Sequence, residues 1–192
     1  MDAERRRKGR ERRPRKPPKP LDAQRLEELA LAYVARYATS AAKAETYLRR
    51  KLRERGWSEE EPAPPDPAAI VARHVELGYI DDEAYARTRA GGLLRRGYGQ
   101  RRVDQSLYAA GIDDALREDV RAGEGEQRRA VFALARRRRF GPFGHDPLDP
   151  ARRDKQVAAI LRAGHGFEAA RAVMDAKDEA ALEEWVAEAE EE

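Results

Sequence analysis

Arginine is the residue type through which this chain is best equipped to act. Arg49, Arg50, Lys51, Arg53 and Arg55 crowd one expected helix end, and Arg95, Arg96, Arg101 and Arg102 flank a Gly97-Tyr98-Gly99 turn. Arg136, Arg137, Arg138 and Arg139 form an unbroken run. A guanidinium offers a planar fork of donors that pairs bidentately with carboxylate or phosphate, so such clusters suit an acidic protein surface or a nucleic-acid backbone. Cations in a last helical turn also complement the helix dipole, at about 0.3–1 kcal/mol per contact, which accounts for some of them but does not call for four in succession. Tyr98, inside the basic turn, is the tyrosine best placed to stack on a base. Tyr33, Tyr37, Tyr79 and Tyr85 fall on apolar helical faces or beside caps and read as core packing.

Other chemistry finds no constellation. His74, His145 and His165 are scattered without the spacing of a metal-binding helix pair, so no metal site is expected. Asp81-Asp82 and Asp113-Asp114 resemble carboxylate pairs, yet each precedes an expected helix, where an aspartate accepts backbone N–H bonds. Gly97-Tyr98-Gly99 lacks a preceding strand and a phosphate-binding lysine, which makes it a turn rather than a nucleotide cradle. Ser40 and Ser106 have no neighbouring base to activate a hydroxyl. The reading is a non-enzyme without a cofactor.

The elements that must carry these residues are helical. Leu26, Leu29, Ala30, Tyr33 and Tyr37 recur at helical spacing; Ser40 then fits a cap, and Ala44, Leu48 and Leu52 line a second helix that Gly56 ends. Asp66-Pro67 opens a third through Ile70, Val71, His74 and Val75. Gly78 closes it, and Asp81 caps a helix running to about Arg96. Val103, Leu107 and Ala110 line the next, ended by Gly111, and Asp113-Asp114 starts a short one through Val120. Ala130, Val131, Leu134 and Ala135 precede the four arginines; Phe140 to Pro147 is too rich in Gly and Pro for helix, and Pro150 restarts a helix presenting Val157, Ile160 and Leu161. Ala172, Val173, Leu182, Trp185 and Val186 remain compatible with helix before the chain fades into glutamates.

The chain has 192 residues, no cysteine, 41% apolar and 39% charged residues, and a mean hydropathy of −0.90. Thin helical layers fit this composition, and β-branched runs are nearly absent, so no strand is expected. Without cysteine there are no disulfides or thiolate sites; with neither a membrane-length apolar run nor a secretory leader, the expected location is the cytoplasm. The net charge of +3 conceals two opposite ends: residues 1–20 hold ten Lys/Arg against three acids, and residues 175–192 one Lys against nine acids. The proline-punctuated basic end is expected to be a disordered tail that still attracts polyanions.

One phrase returns along the chain: an aliphatic residue late in a helix, then a glycine, then an apolar residue. It reads Leu52 to Gly56-Trp57, Leu107 to Gly111-Ile112 and Ile160 to Gly164, with Phe167 following a His165-Gly166 extension. Such regularity marks tandem helical repeats that present an extended surface to a large partner.

The run Leu77-Gly-Tyr-Ile-Asp-Asp-Glu-Ala-Tyr-Ala86, with Arg96-Gly-Tyr-Gly-Gln-Arg-Arg-Val103 and Ser106-Leu-Tyr-Ala-Ala-Gly-Ile-Asp113, closely resembles the RecX family of bacterial RecA regulators. Tyr47 to Leu52 and Gln156 to Leu161 agree as well, so the resemblance covers about residues 29–174. It implies an all-α, elongated array of three three-helix repeats that lodges along RecA filaments on single-stranded DNA and inhibits ATP hydrolysis and strand exchange. Some members also bind DNA directly, a weak activity expected here too. The expected boundaries are 1–20 for the tail, 21–78, 79–124 and 125–174 for the repeats, and 175–192 for an acidic helix or tail. The chain is expected to be a monomer. The competing reading is a sequence-independent DNA-binding protein of helix-turn-helix-like units.

Overall fold

Aspartate and serine start most of the helices, because a short oxygen-bearing side chain satisfies a first-turn N–H that has no partner within the helix. The structure, a computed structural model, describes residues 19–60, 62–144 and 149–189; residues 1–18 of the expected basic tail, His145 and residues 190–192 lie outside them. Three helices form a first unit: α1 (Ala23–Arg36), α2 (Ala41–Arg55) and α3 (Pro67–Glu76). A second unit consists of α4 (Asp82–Arg95), α5 (Gln100–Tyr108) and α6 (Asp114–Asp119). A third has α7 (Glu124–Arg138), a 3-10 turn at Gly141–Phe143, α8 (Pro150–Arg162) and α9 (Phe167–Asp175), followed by α10 (Glu179–Glu188). Side-chain oxygens of Asp22, Ser40, Asp66, Asp81, Asp113, Asp149 and Asp178 cap seven of these helices. Each such cap contributes about 0.5–2 kcal/mol. Among the described residues no segment forms a strand; backbone pairing appears as an isolated bridge between Leu21 and Trp57.

Each unit buries its own apolar stripe. Leu26, Leu48 and Ile70 centre the first cluster, Leu93, Val103 and Leu107 the second, and Val131, Ile160, Val173 and Leu182 the third. Full burial of one such side chain is worth about 1.5–3 kcal/mol, so each small cluster supports a unit of modest size. The last cluster extends into the acidic segment, for which the sequence allows a helix or a tail. Leu182 is 1% exposed, and Trp185 packs beside it with the Arg128 guanidinium 4.7 Å from its ring centre. The acidic segment is therefore a docked helix over 179–188, because an apolar stripe lies under its glutamates.

The recurring glycine phrase explains how the units join. Gly111, at the end of α5, sits on the start of α2 so closely that a Cβ there would lie 2.3 Å from the Ala42 Cβ. At the same place Ser40 Oγ donates to Ala110 O at 2.5 Å, and Asp82 accepts from the Ala41 N–H at 2.8 Å. Gly164, at the end of α8, makes the equivalent approach to the start of α5. Gly99 N–H donates to Ala163 O at 2.9 Å and Arg101 N–H to Gly164 O at 3.1 Å. A Cβ on Gly99 would meet the Gly164 carbonyl at 2.4 Å. In both joints the second helix of one unit therefore ends on the N-terminus of the second helix of the unit before it. A side chain at either glycine would push the two backbones apart.

Candidate partner-binding surface

The joint between the first two units leaves α1, α2, α4 and α5 side by side, and four adjoining hollows run over them. One lies between α1 and α2 and takes in Arg36, Tyr37, Tyr33, Tyr47, Arg50 and Lys51. The next, at the end of α5, shares Tyr33, Lys43, Tyr47 and Arg50 and adds Tyr108. A third crosses to α4, with Lys43, Tyr85, Arg89, Arg95 and Arg96, and a fourth continues from Arg89 and Arg96 to Tyr98 and Arg102. Their volumes lie between about 420 and 710 Å³. Shared lining residues make them one track.

Its electrostatics are one-sided. Asp81 is the carboxylate in these linings, and its side chain is engaged by the Ala84 N–H as a helix cap. Several arginines elsewhere on the surface are paired: Arg25 with Asp22 at 2.8 Å, Arg121 with Glu118 at 2.9 Å and Arg128 with Glu124 at 2.8 Å. In the track, Arg50 and Lys51 share Glu54, at 3.6 and 2.6 Å. Those two neighbours hold the Glu54 carboxyl below its ordinary value, chiefly through the hydrogen bond from Lys51. Arg36, Lys43, Arg89, Arg95, Arg96 and Arg102 contact no carboxylate among the described residues. Their contacts are neutral ones: Lys43 Nζ donates to Tyr85 OH at 3.1 Å, Arg89 Nε to Ser106 Oγ at 2.8 Å, and Arg36 lies 5.5 Å from the Tyr37 ring centre.

The track thus gathers Arg50, Lys51, Arg95, Arg96, Tyr98 and Arg102 from the residues singled out in the sequence. Arg49 instead pairs with Glu45 on its own helix at 2.5 Å, and Arg101 is exposed beside the second joint. The four consecutive arginines lie apart and are divided in role. Arg136 approaches Glu179 at 3.8 Å, Arg137 donates to Arg96 O at 2.6 Å across the joint, Arg138 is exposed, and Arg139 closes α7 with φ 57°. Tyr98 is half-buried against both the second and third clusters, so it does not stand free on the basic turn.

Sequence reasoning missed Arg36, Lys43, Arg89 and Tyr108, and it read Tyr37 and Tyr79 as core, although Tyr79, beside the cap of α4, is 55% exposed. Tyr37 is 50% and Tyr108 73% exposed. Helical spacing places Tyr37 on the stripe of Leu26, Leu29, Ala30 and Tyr33 but does not reveal that the stripe is left uncovered at its end; Tyr108 lies off the Val103, Leu107 and Ala110 face of its own helix. The histidines hold structure: His74 Nδ1 lies 2.9 Å from Ile70 O, and His165 Nε2 donates to Gly97 O at 3.0 Å. No grouping of three or more potential ligands for a metal occurs among the described residues.

Comparison with known proteins bears on what such a surface serves. A family model described as RecX, second three-helix domain, matches residues 81–120, the span of α4 to α6. The regulatory protein RecX of Myxococcus xanthus is 32% identical over 184 residues, covering 88% of this chain and 93% of its own. This chain belongs to the RecX family. Among other RecX relatives, that of Deinococcus radiodurans is 37% identical over 158 residues, covering 80% of this chain and 69% of its own. The crystal structure of RecX from Lactobacillus salivarius superposes with a TM-score of 0.60 at 19% identity, covering 79% of this chain and 93% of that one. That likeness shows the same helical-repeat fold. Among the described residues no helix is long and apolar enough to cross a membrane.

Proposed function

We propose that this RecX-family chain binds the RecA filament assembled on single-stranded DNA and suppresses its ATP hydrolysis and strand exchange, so moderating recombination, DNA repair and the SOS response. It acts in the cytoplasm as a monomer, without a cofactor and without chemistry of its own. The observation that carries the reading is the basic track, in which six cations that contact no carboxylate among the described residues cross from one repeated unit to the next. Such a stripe creates a positive potential over two units and favours an extended, negatively charged counterpart over a small substrate. Family membership supports RecA as that counterpart. Arg50, Lys51, Arg95, Arg96, Tyr98 and Arg102 are the contact residues in this reading, with Arg136 to Arg139 as a second contact on the third unit.

Co-sedimentation with preformed RecA filaments tests it. The chain should pellet with the filaments at saturating stoichiometry. Replacing Arg95, Arg96, Arg101 and Arg102 together by glutamine should weaken that binding about tenfold, since exposed charged contacts are worth about 0.2–1 kcal/mol each. Equal amounts in the pellet with and without RecA would reject the proposal.

A further inference from the structure

The basic turn between α4 and α5 supplies Arg95, Arg96, Tyr98 and Arg102 to the track, yet its backbone is held from the third unit. Arg96 and Gly97 follow the last turn of α4, where carbonyls have no partner within the helix. Arg137 of α7 donates to Arg96 O at 2.6 Å, and His165 donates to Gly97 O at 3.0 Å. Leu134 of α7 lies directly against Gly97, and the Tyr98 ring packs on the third cluster as well as on its own. The N–H groups of Gly99 and Arg101 then end on the carbonyls of Ala163 and Gly164. Arg96, Gly97, Tyr98, Gly99 and Arg101 are thus each held by the third unit. At the first joint the corresponding bonds run through the side chains of Ser40 and Asp82 instead.

We infer that the third unit is a brace that aims the basic turn, and that Arg137 is a positioning residue for partner binding, acting through the Arg96 carbonyl and not by touching the partner. This rests on the reading that the arginines of the turn meet RecA, and within that reading it leaves Arg136, Arg138 and Arg139 as the third unit's own contacts. Arg96 joins the two roles in one residue: its side chain lines the track, while its carbonyl faces α7. A cation is favoured at this end of α4, where the helix dipole is negative, and its donor satisfies a carbonyl that the helix leaves free. Removing it leaves that carbonyl unpaired at the joint and loosens the turn from α7. Because one short turn carries four side chains of the track, a small displacement of its backbone misplaces all of them together.

A double-mutant cycle on binding of the full chain to RecA filaments separates positioning from contact. Arg137 is exposed, so Arg137→Met leaves the buried clusters intact. In the wild-type background it should lower filament affinity roughly fivefold, the effect of one lost hydrogen bond at the joint. With Arg95, Arg96, Arg101 and Arg102 already replaced by glutamine, the same substitution should change affinity by less than about twofold, because the side chains that Arg137 aims are gone. Equal losses in both backgrounds would make Arg137 a direct contact and overturn the inference, as would no loss in the wild-type background. A second readout needs no RecA: amide hydrogen exchange of the full chain, followed by NMR. The Gly99 and Arg101 N–H groups should exchange at least about threefold faster in Arg137→Met than in wild type, while those of Leu48 in the first unit and Val173 in the third keep their rates, as a folded chain requires. Unchanged exchange at Gly99 and Arg101 would also overturn the inference. A wild-type chain that does not pellet with RecA defeats the RecA reading instead, and the exchange rates still decide whether Arg137 holds the turn.

Discussion

Arg139 closes α7 at φ 57°, a left-handed conformation that costs an L residue with a Cβ and that glycine adopts freely. Arg139→Gly should therefore stabilise the chain by about 0.5–1 kcal/mol in urea unfolding, provided the side chain makes no contact of larger value. His165 supplies a second test at this scale. It is 3% exposed, and burial pushes its pKa below the ordinary histidine value, against the smaller opposing pull of the Gly97 carbonyl. The unfolded chain thus binds more protons near neutrality, so the contribution of the neutral ring is present above about pH 6.5 and is lost as pH falls towards the folded pKa. The thermal midpoint of the wild type should drop more between pH 7.5 and 5.5 than that of His165→Gln; equal drops would show that His165 does not titrate with unfolding. Capping aspartates were legible in the sequence because a cap is a local device. The partner of Asp82 was not, since its carboxylate holds a helix 41 residues earlier in the chain.

Among the elements, α10 separates composition from pattern. Its glutamates suggest a solvated tail, while Leu182, Trp185 and Val186 recur at the spacing of one helical face. Pattern decides here, because the stripe meets α7 and α9 in the third cluster. Leu182→Ala should cost about 2–5 kcal/mol, the range for opening a cavity at a fully buried leucine. A loss below about 0.5 kcal/mol in denaturant unfolding would mean that the helix stands off the core. The tyrosines of α1 and α2 show the converse limit. Periodicity assigns Tyr33 and Tyr37 to one stripe, yet Tyr33 is half-buried and Tyr37 is 50% exposed, because packing ends where the first unit meets the second. No single-helix pattern carries that information.

At the scale of the whole molecule, the repeated glycine phrase made the tandem organisation readable before any contact was known. What the phrase accomplishes needed the structure: Gly111 and Gly164 are contact points at which one unit rests on the helix start of the previous one. Units joined end to end in this way spread the chain out, so solution scattering should give a radius of gyration clearly above the roughly 16 Å of a compact chain of this length. A value at 16 Å would require the third unit to fold back onto the first. The same arrangement carries the basic track across two units, which is what a long anionic partner requires. The most direct measurement of the central claim is ATP hydrolysis by RecA filaments preformed on single-stranded DNA, followed as the chain is added. Turnover should fall in a saturable way with increasing chain, and less steeply for the variant with Arg95, Arg96, Arg101 and Arg102 replaced by glutamine. RecA turnover unchanged at saturating wild-type chain would contradict the account.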